Sequence, residues 1–345
     1  MQVVTAELIK DKKVLLRLDL DVPIKEVGED GLEVAEDFRL LEGMETLKLC
    51  LDQAQTTIIM GHIGRPEGKE VEELSVEPIY DWLQQYLDCE DLGQRKLRLL
   101  ENLRFESGEE ACDLAYAKEL ASVGDFLDSY TPKAELSQTR SVYINEAFAA
   151  YHPAASTTIL PTLLPHAAGL HFAREVEVLT KVRGNPGKPL VVIIGGAKVE
   201  NKLPLVLAMA KIADQVLVGG KITLELVRSS AVSLPANVLI GELNKEGTDI
   251  AEETVQKWKP VISGAKMIVW NGPLGKVEED QNDQSKNIAQ LIIKSGAESI
   301  IGGGDTITAL NKWGLLNKFS FVSTGGGAML KFLAEGTLPT IEALR

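Results

Sequence analysis

Short apolar runs that alternate with longer helical patterns are the feature that most constrains the fold of this chain. Each run has the length of one buried strand, and examples are KVLLRLDL, TTIIMGH, SVYINEAF, PLVVIIGG, KMIVWNGP and SIIGGGD. Helical periodicity separates the runs, as in VEPIYDWLQQYL and TDIAEETVQKWKPVI. Strand, helix and strand at this spacing predict parallel sheets wound by crossover helices. We therefore expect an α/β protein built from doubly wound, Rossmann-like sheets.

The length of the chain predicts two domains. Its 345 residues exceed the size at which a single hydrophobic core stops growing. Near residues 157–185 the sequence passes two prolines and then has the pattern of a connecting helix. We predict an N-terminal domain at residues 1–165 and a C-terminal domain at 166–332, joined by a helix hinge, with the tail at about 333–345 packing back on the first domain.

Charge and composition exclude several classes of partner. A formal net charge of -14 would repel nucleic acid and anionic membranes. No apolar run is long enough to cross a bilayer, and the N-terminus lacks a signal-peptide core. The three cysteines have no CxxC spacing, which favours neither a disulfide framework nor a zinc site. We expect a soluble, cytoplasmic protein that binds neither nucleic acid nor membrane.

The ends of the apolar runs differ between the two halves of the chain. Ligands of open parallel sheets bind beyond the carboxyl ends of the strands, so these ends predict two sites of different character. In the first half they predict an anion site made by charged residues, namely Asp19, Asp21, His62, Arg65 and Arg104, with Arg39 nearby. In the second half they predict a glycine-lined site at Gly195-Gly196, Gly219-Gly220, Gly302–Gly304 and Gly325–Gly327. One arginine alone would be better explained by a surface ion pair, and His62 alone by a structural histidine.

The stretch VVIIGGAKVENKL places two lysines after a strand and a pair of glycines. Lys198 and Lys202 are at i and i+4, so a helix that begins after the glycines would carry both on one face. Cations near a helix N-terminus are unfavourable with the helix dipole, which suggests an anionic ligand such as a polyphosphate. A tight strand–helix turn with two solvated lysines explains this stretch equally well.

Two glycine-rich turns, IIGGGDT and STGGGAM, have a similar composition. The successive N–H groups of such turns can form an anion site, and Asp305 could hold Mg²⁺ on a phosphate. The alternative is a glycine turn with Asp305 or Thr306 as a helix cap. In VWNGP, Asn271 either points at the ligand or belongs to an ordinary turn.

Taken together, these motifs resemble phosphoglycerate kinase. The resemblance extends in order over nearly the whole chain, through LLRLDLDVP, FRL, GHIGRP, LLENLRFESGEE, YINEAFAAYH, IIGGAKVENK, VGGK, MIVWNGPLGKVE, IGGGDT and STGGGAMLKFLAEGTLPTIEAL. It implies two doubly wound α/β domains that close on each other. It also implies phosphoryl transfer between ATP and 3-phosphoglycerate, giving ADP and 1,3-bisphosphoglycerate with Mg²⁺, in a glycolytic enzyme that is usually monomeric.

The resemblance also implies roles for individual residues. The phosphoglycerate site would comprise Asp19, Asp21, Arg39, His62, Arg65 and Arg104. The nucleotide site would comprise Gly196, Lys198, Lys202, Gly219, Gly220, Asn271, Glu278 at the ribose, Gly303, Gly304, Asp305, Thr306, Gly325 and Gly326, with Asp305 on the metal. In-line transfer needs positioning and charge stabilisation but no general base, because the acceptor is already a carboxylate. Arg39, Lys198 and Lys202 are the implied catalytic residues.

The chain departs from the family pattern at three places. Asp21 stands where the family has asparagine, Pro153 stands where it has a substrate-binding arginine, and the segment 220–264 is shorter. An insert at 128–140 ends in Arg140, which we consider as a replacement for the missing arginine. Two alternatives therefore stay open: a nucleotide-binding or regulatory homologue with impaired catalysis, and a kinase of another small carboxylic acid.

Overall fold

The structure is a computed structural model that describes residues 1–28, 31–123, 141–196, 202–224, 234–276 and 283–345. The chain divides into two compact units. The first comprises Met1–Val176 together with Leu338–Arg345, and the second comprises Glu177–Thr337. No helix among the described residues is long and apolar enough to span a membrane.

The first unit contains a five-stranded parallel sheet and a small antiparallel pair. The strands are β1 (Lys13–Arg17), β2 (Ile24–Val27), β3 (Gly31–Val34), β4 (Thr56–Met60), β5 (Leu97–Leu99), β6 (Ser141–Asn145) and β7 (His166–Ala168), with β2 paired to β3. The parallel sheet has the order β5-β4-β1-β6-β7. The strand order therefore reverses between β1 and β6, as in a doubly wound sheet.

The helices of the first unit lie on both faces of this sheet. They are α1 (Ala6–Ile9), α2 (Phe38–Glu42), α3 (Met44–Gln53), α4 (Glu77–Leu87), α5 (Ser107–Glu110), α6 (Leu114–Val123) and α7 (Leu170–Gly184). Helical turns occur at Glu72–Leu74, Leu92–Arg95, Leu103–Phe105, Ala155–Ile159 and Leu160–Thr162. The division between the two units falls inside α7.

The two faces of the central strands differ in character. Side chains alternate along a strand, so Leu16 lies on the face opposite to Arg17. Leu16, Ile59 and Ile144 belong to the apolar core that includes α3 and α4. The other face carries polar side chains that are fully buried, including Arg17 and Asn145, which are in register. An apolar run in the sequence thus contains a buried arginine.

The second unit contains a six-stranded sheet in which every pair is parallel. The strands are β8 (Leu190–Ile194), β9 (Gln215–Val218), β10 (Val238–Ile240), β11 (Met267–Asn271), β12 (Glu298–Gly302) and β13 (Phe321–Ser323), in the order β10-β9-β8-β11-β12-β13. Counted along the chain, this is the 3-2-1-4-5-6 order of the Rossmann fold, with its reversal between β8 and β11. The prediction of an α/β fold with two parallel sheets is confirmed.

The second unit has five helices beyond α7 among its described residues, apart from the final helix of the chain. They are α8 (Leu203–Met209), α9 (Glu252–Ser263), α10 (Asp283–Ser295), α11 (Gly304–Lys312) and α12 (Gly326–Glu335), with a turn at Leu316–Lys318. The last helix, α13 (Pro339–Glu342), belongs to the first unit, where it contacts the turn Ala155–Ile159. Trp258 and Trp270 are the largest buried side chains of the second unit's core.

Candidate functional site

In the first unit, the predicted anion-binding residues gather at the carboxyl edge of the sheet. Arg17 at the end of β1 is in register with Met60 of β4 and with Asn145 of β6. The loops after these strands therefore start side by side. The charges of Arg17, Arg39, Arg65 and Arg104 all act on the ring of His62, so the cluster is close in space. The structure brings the sequence-predicted residues of this site together.

Arg39 lies between the two carboxylates that follow β1. Its Nη1 donates a hydrogen bond to the backbone oxygen of Asp21 at 2.9 Å. The same nitrogen lies 3.6 Å from Oδ2 of Asp19 and 3.8 Å from Oδ2 of Asp21. Burial raises the pKa of Asp19, the charge of Arg39 opposes this, and the charge of Asp21 adds to it. The site thus holds two carboxylates on one guanidinium.

The backbone of Gly64, in the loop after β4, is hydrogen-bonded to the side chains of Asp21 and Arg104. Its N–H donates to Oδ1 of Asp21 at 2.9 Å, and its carbonyl accepts from Nη1 of Arg104 at 2.7 Å. Arg104 also lies 3.3 Å from Glu110 through Nε. Burial lowers the pKa of Arg104, while the charge of Glu110 raises it. The carboxylate of Asp21 thus accepts a hydrogen bond from a backbone N–H, as the amide oxygen of an asparagine could.

His62 and Arg65 differ in their surroundings. His62 is 7% exposed, and its pKa is well below the ordinary value because burial and then the four arginine charges disfavour the imidazolium. Arg65 is exposed, and within the described residues its side chain makes no hydrogen bond or ion pair. The cluster thus combines a neutral imidazole with an arginine that is open to a ligand.

Arg17 is a residue of this cluster that the sequence motifs do not single out. It is 2% exposed and contacts His62, Ser156 and Glu109. The signal that could have identified it is an arginine in the middle of the strand pattern KVLLRLDL. A buried guanidinium must be paired and hydrogen-bonded, and its partners are distant in sequence.

The position of the missing family arginine is solvent-exposed. Pro153 is exposed, one residue after His152 in the loop that precedes the turn Ala155–Ile159. Arg140, the replacement that we considered from the sequence, lies outside the described residues. The described part of the site therefore has no guanidinium at this position.

In the second unit, the glycine turns are adjacent because the strands that precede them are neighbours. Asn271 of β11 is in register with Ile194 of β8 and with Gly302 of β12, and Gly302 is in register with Ser323 of β13. The turns at Gly195-Gly196, Gly303-Gly304 and Gly325-Gly326 thus follow strands in one row. This row crosses the β8/β11 reversal, the place where doubly wound sheets bind ligands.

Lys202 packs against two of these glycines. A Cβ atom at Gly196 would lie 2.6 Å from Nζ of Lys202, and one at Gly272 would lie 2.8 Å from it. Both glycines have positive φ, 110° and 93°. The ammonium group donates to the carbonyl of Gly195. Burial lowers the pKa of Lys202, and the charge of Asp305 opposes this shift. Glycine is favoured at both positions because of the positive φ, and at Gly272 also because a Cβ would clash with the backbone oxygen of Gly195.

Helix α8 begins later than the sequence suggests. It starts at Leu203, so Lys202 is its N-cap residue and does not lie one turn inside the helix. The expectation that Lys202 is part of the helix face is therefore wrong, because Pro204 favours a helix start at this point. Lys198 and Glu278 lie outside the described residues.

Asn271 and Thr306 join the turns to each other. The Asn271 Nδ2 group donates to the carbonyl of Gly326 at 3.1 Å, and the N–H of Gly272 donates to Oγ1 of Thr306 at 3.1 Å. Both side chains are almost fully buried. Gly303, with φ 101°, lies close enough to Gly272 that a Cβ there would be 3.3 Å from the Gly272 nitrogen. These contacts fix the relative positions of three backbone turns.

Asp305 is the side chain in this row that is open to a cation. It is exposed in the first turn of α11, next to Gly304. Mg²⁺ usually takes one or two carboxylates and completes its shell with water and phosphate oxygens, so an open carboxylate beside glycine turns that could bind phosphate has the chemistry for this metal. Among the described residues no group of three His, Cys, Asp or Glu side chains could hold a metal without a ligand.

A cavity of about 150 Å³ opens beside these turns. Its wall includes the predicted residues Gly196, Gly220 and Asp305, together with Leu243, Gly247 and the segment Pro273–Lys276. Two lysines, Lys221 and Lys276, also line the cavity and are not predicted from the sequence. Gly219 lies beneath it, where a Cβ would be 2.6 Å from Leu274.

Comparisons with known proteins agree with this arrangement. The family model of phosphoglycerate kinase matches residues 4–241 and 237–336. The chain is 32% identical to the phosphoglycerate kinase of Solibacter usitatus (strain Ellin6076) over 97% of each chain. It is 31% identical to that of Thermosipho africanus (strain TCF52B), with 97% of this chain and 96% of the relative covered.

Two solved structures give the same result. The phosphoglycerate kinase of Coxiella burnetii superposes with a TM-score of 0.75 at 28% identity, covering 97% of this chain and 96% of that one. The enzyme of Pyrococcus horikoshii OT3 has a TM-score of 0.77 at 24% identity with the same coverage, which shows the shared fold. On the family match, the identities and the fold, this chain belongs to the phosphoglycerate kinase family.

Proposed function

We propose that this protein is an active phosphoglycerate kinase, which transfers a phosphoryl group reversibly between ATP and 3-phosphoglycerate. The observation that carries the proposal is the placement of both sets of predicted residues. The arginine-rich set lies at the carboxyl edge of the first sheet, and the glycine turns with Lys202 lie at the strand-order reversal of the second. The first unit would bind the acid and the second the nucleotide, with the boundary predicted near residue 165.

The cluster in the first unit suits an acid that carries both a carboxylate and a phosphate. Arg65 is exposed, and the carbonyl of Gly64 holds Arg104 in place. Both guanidinium groups can therefore donate hydrogen bonds to anionic oxygens of the acid. A neutral His62 adds a hydrogen-bond donor without adding a fifth charge to the arginines. Arg39 would exchange its contacts with Asp19 and Asp21 for contacts with the acid.

The glycine turns in the second unit suit a nucleotide. Backbone N–H groups at Gly303-Gly304 and Gly325-Gly326 would meet phosphate oxygens at the starts of α11 and α12. Asp305 would hold Mg²⁺, which neutralises phosphate charge when it is bound. The base would enter the cavity beside Gly219 and Gly220, and Glu278 is assigned to the ribose by resemblance alone.

The proposed chemistry requires only positioning and charge stabilisation. A carboxylate oxygen of 3-phosphoglycerate bonds to the γ-phosphorus while the bond from that phosphorus to the oxygen of ADP breaks, and no proton is transferred. Lys202, Lys198 and Arg39 would stabilise the charge on the phosphoryl oxygens in flight. Both ligands must meet away from water, because water would otherwise accept the phosphoryl group, and we propose domain closure for this step.

The acid site also favours a second candidate, a nucleotide-binding homologue with impaired catalysis. The carboxylate of Asp21 adds negative charge next to Arg39, and Pro153 offers no guanidinium. We favour the active enzyme because Lys202 and Asp305, to which the resemblance assigns the phosphoryl group and the metal, are present beside the glycine turns. We also expect a cytoplasmic monomer without nucleic-acid or membrane partners.

A coupled assay in both directions separates these candidates. We expect Mg²⁺-dependent formation of 1,3-bisphosphoglycerate from ATP and 3-phosphoglycerate, and formation of ATP in the reverse direction. The matched control is Lys202→Ala, which should bind nucleotide but turn over far less. Nucleotide binding without turnover in either direction would support the impaired homologue. Turnover only with another small carboxylic acid would reassign the acceptor.

A further inference from the structure

Arg17 is the most deeply buried guanidinium near the proposed acid site, and none of the roles above uses it. It ends β1, the central strand of its sheet, and is 2% exposed. Burying a guanidinium is costly unless it is paired and hydrogen-bonded. Its surroundings therefore indicate what the side chain does.

Glu109 and Ser156 hold the guanidinium from one side. The Nε of Arg17 donates to Oγ of Ser156 at 2.8 Å, and Nη2 lies 3.8 Å from Oε1 of Glu109. Glu109 in turn accepts from the N–H of Ser156 at 2.9 Å and from its hydroxyl at 2.5 Å. Glu109 is 1% exposed and Ser156 is fully buried. These contacts hold Nε and Nη2 and so fix the direction of the arginine, while its Nη1 is buried and has no hydrogen-bond partner among the described residues.

The Nη2 nitrogen that faces Glu109 also contacts His62. The Nη2 of Arg17 lies 3.1 Å from Nδ1 of His62. A guanidinium has donors only, so this nitrogen of the imidazole must be the acceptor and carries no proton. In a neutral imidazole the proton is then on Nε2. That nitrogen has no hydrogen-bond partner among the described residues, so it can donate to a ligand.

The charges around the ring keep it neutral. The groups that act on His62 are Arg17 at the end of β1, Arg104 in the turn after β5, Arg39 on α2 and Arg65 in its own loop. All four are cations, and together with burial they lower the pKa of His62 well below its ordinary value. A single tautomer, with Nε2–H as donor, follows from this charge distribution and from the contact with Arg17.

We propose that Arg17 is a positioning residue which, held by Glu109 and Ser156, fixes His62 as the Nε2–H tautomer so that the ring donates a hydrogen bond to an anionic oxygen of the acid. The inference rests on the proposed function for the identity of that acid. The tautomer itself does not depend on turnover, so the two can fail separately.

The test is a two-bond ¹H–¹⁵N correlation spectrum of the whole protein between pH 5.5 and 8. The chain has four histidines, and His62→Gln assigns the signal. In the wild type we expect a neutral Nε2–H ring at every pH, with a shift when 3-phosphoglycerate is added. In Ser156→Ala and Arg17→Met we expect a mixture of tautomers and a Michaelis constant for the acid that is raised about tenfold, with a smaller change in kcat.

Two further variants control for misfolding of Arg17→Met and for a general effect of replacing an arginine. Arg17→Met leaves Glu109 buried without its cation and could prevent folding. The double variant Arg17→Met/Glu109→Gln removes both charges and replaces the single variant in that case. It should show the same mixture of tautomers. Arg98→Lys, at an exposed position of β5, is the matched arginine control and should change nothing.

Two results would overturn the proposal. The first is a wild-type ring that is protonated at Nδ1 or is cationic near neutral pH. The second is a pure Nε2–H tautomer in Ser156→Ala and in the folded Arg17 variants. If these variants also bind the acid more weakly, Arg17 is a direct ligand of the acid. Absence of turnover with 3-phosphoglycerate would reject the proposed function and leave the tautomer measurement intact.

Discussion

Replacing Asp21 by asparagine should tighten binding of the acid. Asp21 stands at the family's asparagine, and its Oδ2 lies 3.8 Å from Nη1 of Arg39. An anionic ligand that binds Arg39 must displace Asp21 from it and is then repelled by the nearby carboxylates of Asp21 and Asp19. Asparagine keeps the oxygen that accepts from the N–H of Gly64 at 2.9 Å and removes only the charge.

The magnitude follows from the distance and the exposure. Two unit charges about 4 Å apart interact by about 1 kcal/mol in bulk water and by about 4 kcal/mol at an intermediate dielectric constant. The Asp21 side chain is 43% exposed, so the solvent-screened value applies. A change of about 1 kcal/mol corresponds to about fivefold in affinity. We therefore expect Asp21→Asn to lower the dissociation constant of 3-phosphoglycerate by up to about fivefold.

Isothermal titration calorimetry at low and high salt measures this effect. The gain should shrink as ionic strength rises, because an exposed charge is screened. Asp52→Asn is the matched control, since Asp52 is an exposed residue of α3 outside the cluster. Unchanged or weaker binding of the acid by Asp21→Asn at low salt would show that this carboxylate does not oppose the ligand, and the reasoning would be wrong.

Three further predictions concern other residues. Lys202→Ala should lower kcat by at least about a hundredfold while nucleotide affinity changes much less, because the charge acts mainly on the phosphoryl group in flight; near-normal turnover would remove this lysine from the mechanism. Asp305→Ala should weaken Mg²⁺–nucleotide binding in calorimetry and leave binding of the acid unchanged, and the opposite pattern would contradict the assignment of ligands to units. His171 lies 2.9 Å from Glu42 and 3.2 Å from Glu175. Burial opposes its charge, but these carboxylates raise its pKa to about 10. The stability that it adds is therefore present below its ordinary pKa of about 6.5 and is lost as pH rises toward 10. Urea unfolding should show the advantage of the wild type over His171→Gln declining across this range, and parallel pH profiles would refute it.

The sequence by itself determined the fold class and the edge of each sheet at which the candidate residues gather. Short apolar runs between helical patterns specify parallel strands, and the carboxyl ends of parallel strands meet at one edge. His62 and Arg104 therefore gather in one unit, and the turns at Gly196 and Gly303 in the other. These positions could be predicted because strand periodicity and turn glycines are local properties that can be recognised in a single stretch of sequence.

Only the tertiary structure decided which side chains pair. Arg17 is 139 positions from Ser156 and 45 positions from His62 in the sequence, so no local stretch indicates either contact. Periodicity reports that a position is buried, but the energy of a buried charge depends on a partner that folding brings from elsewhere in the chain. The approach of the Lys202 ammonium group to Gly272, which follows a different strand, is a similar case.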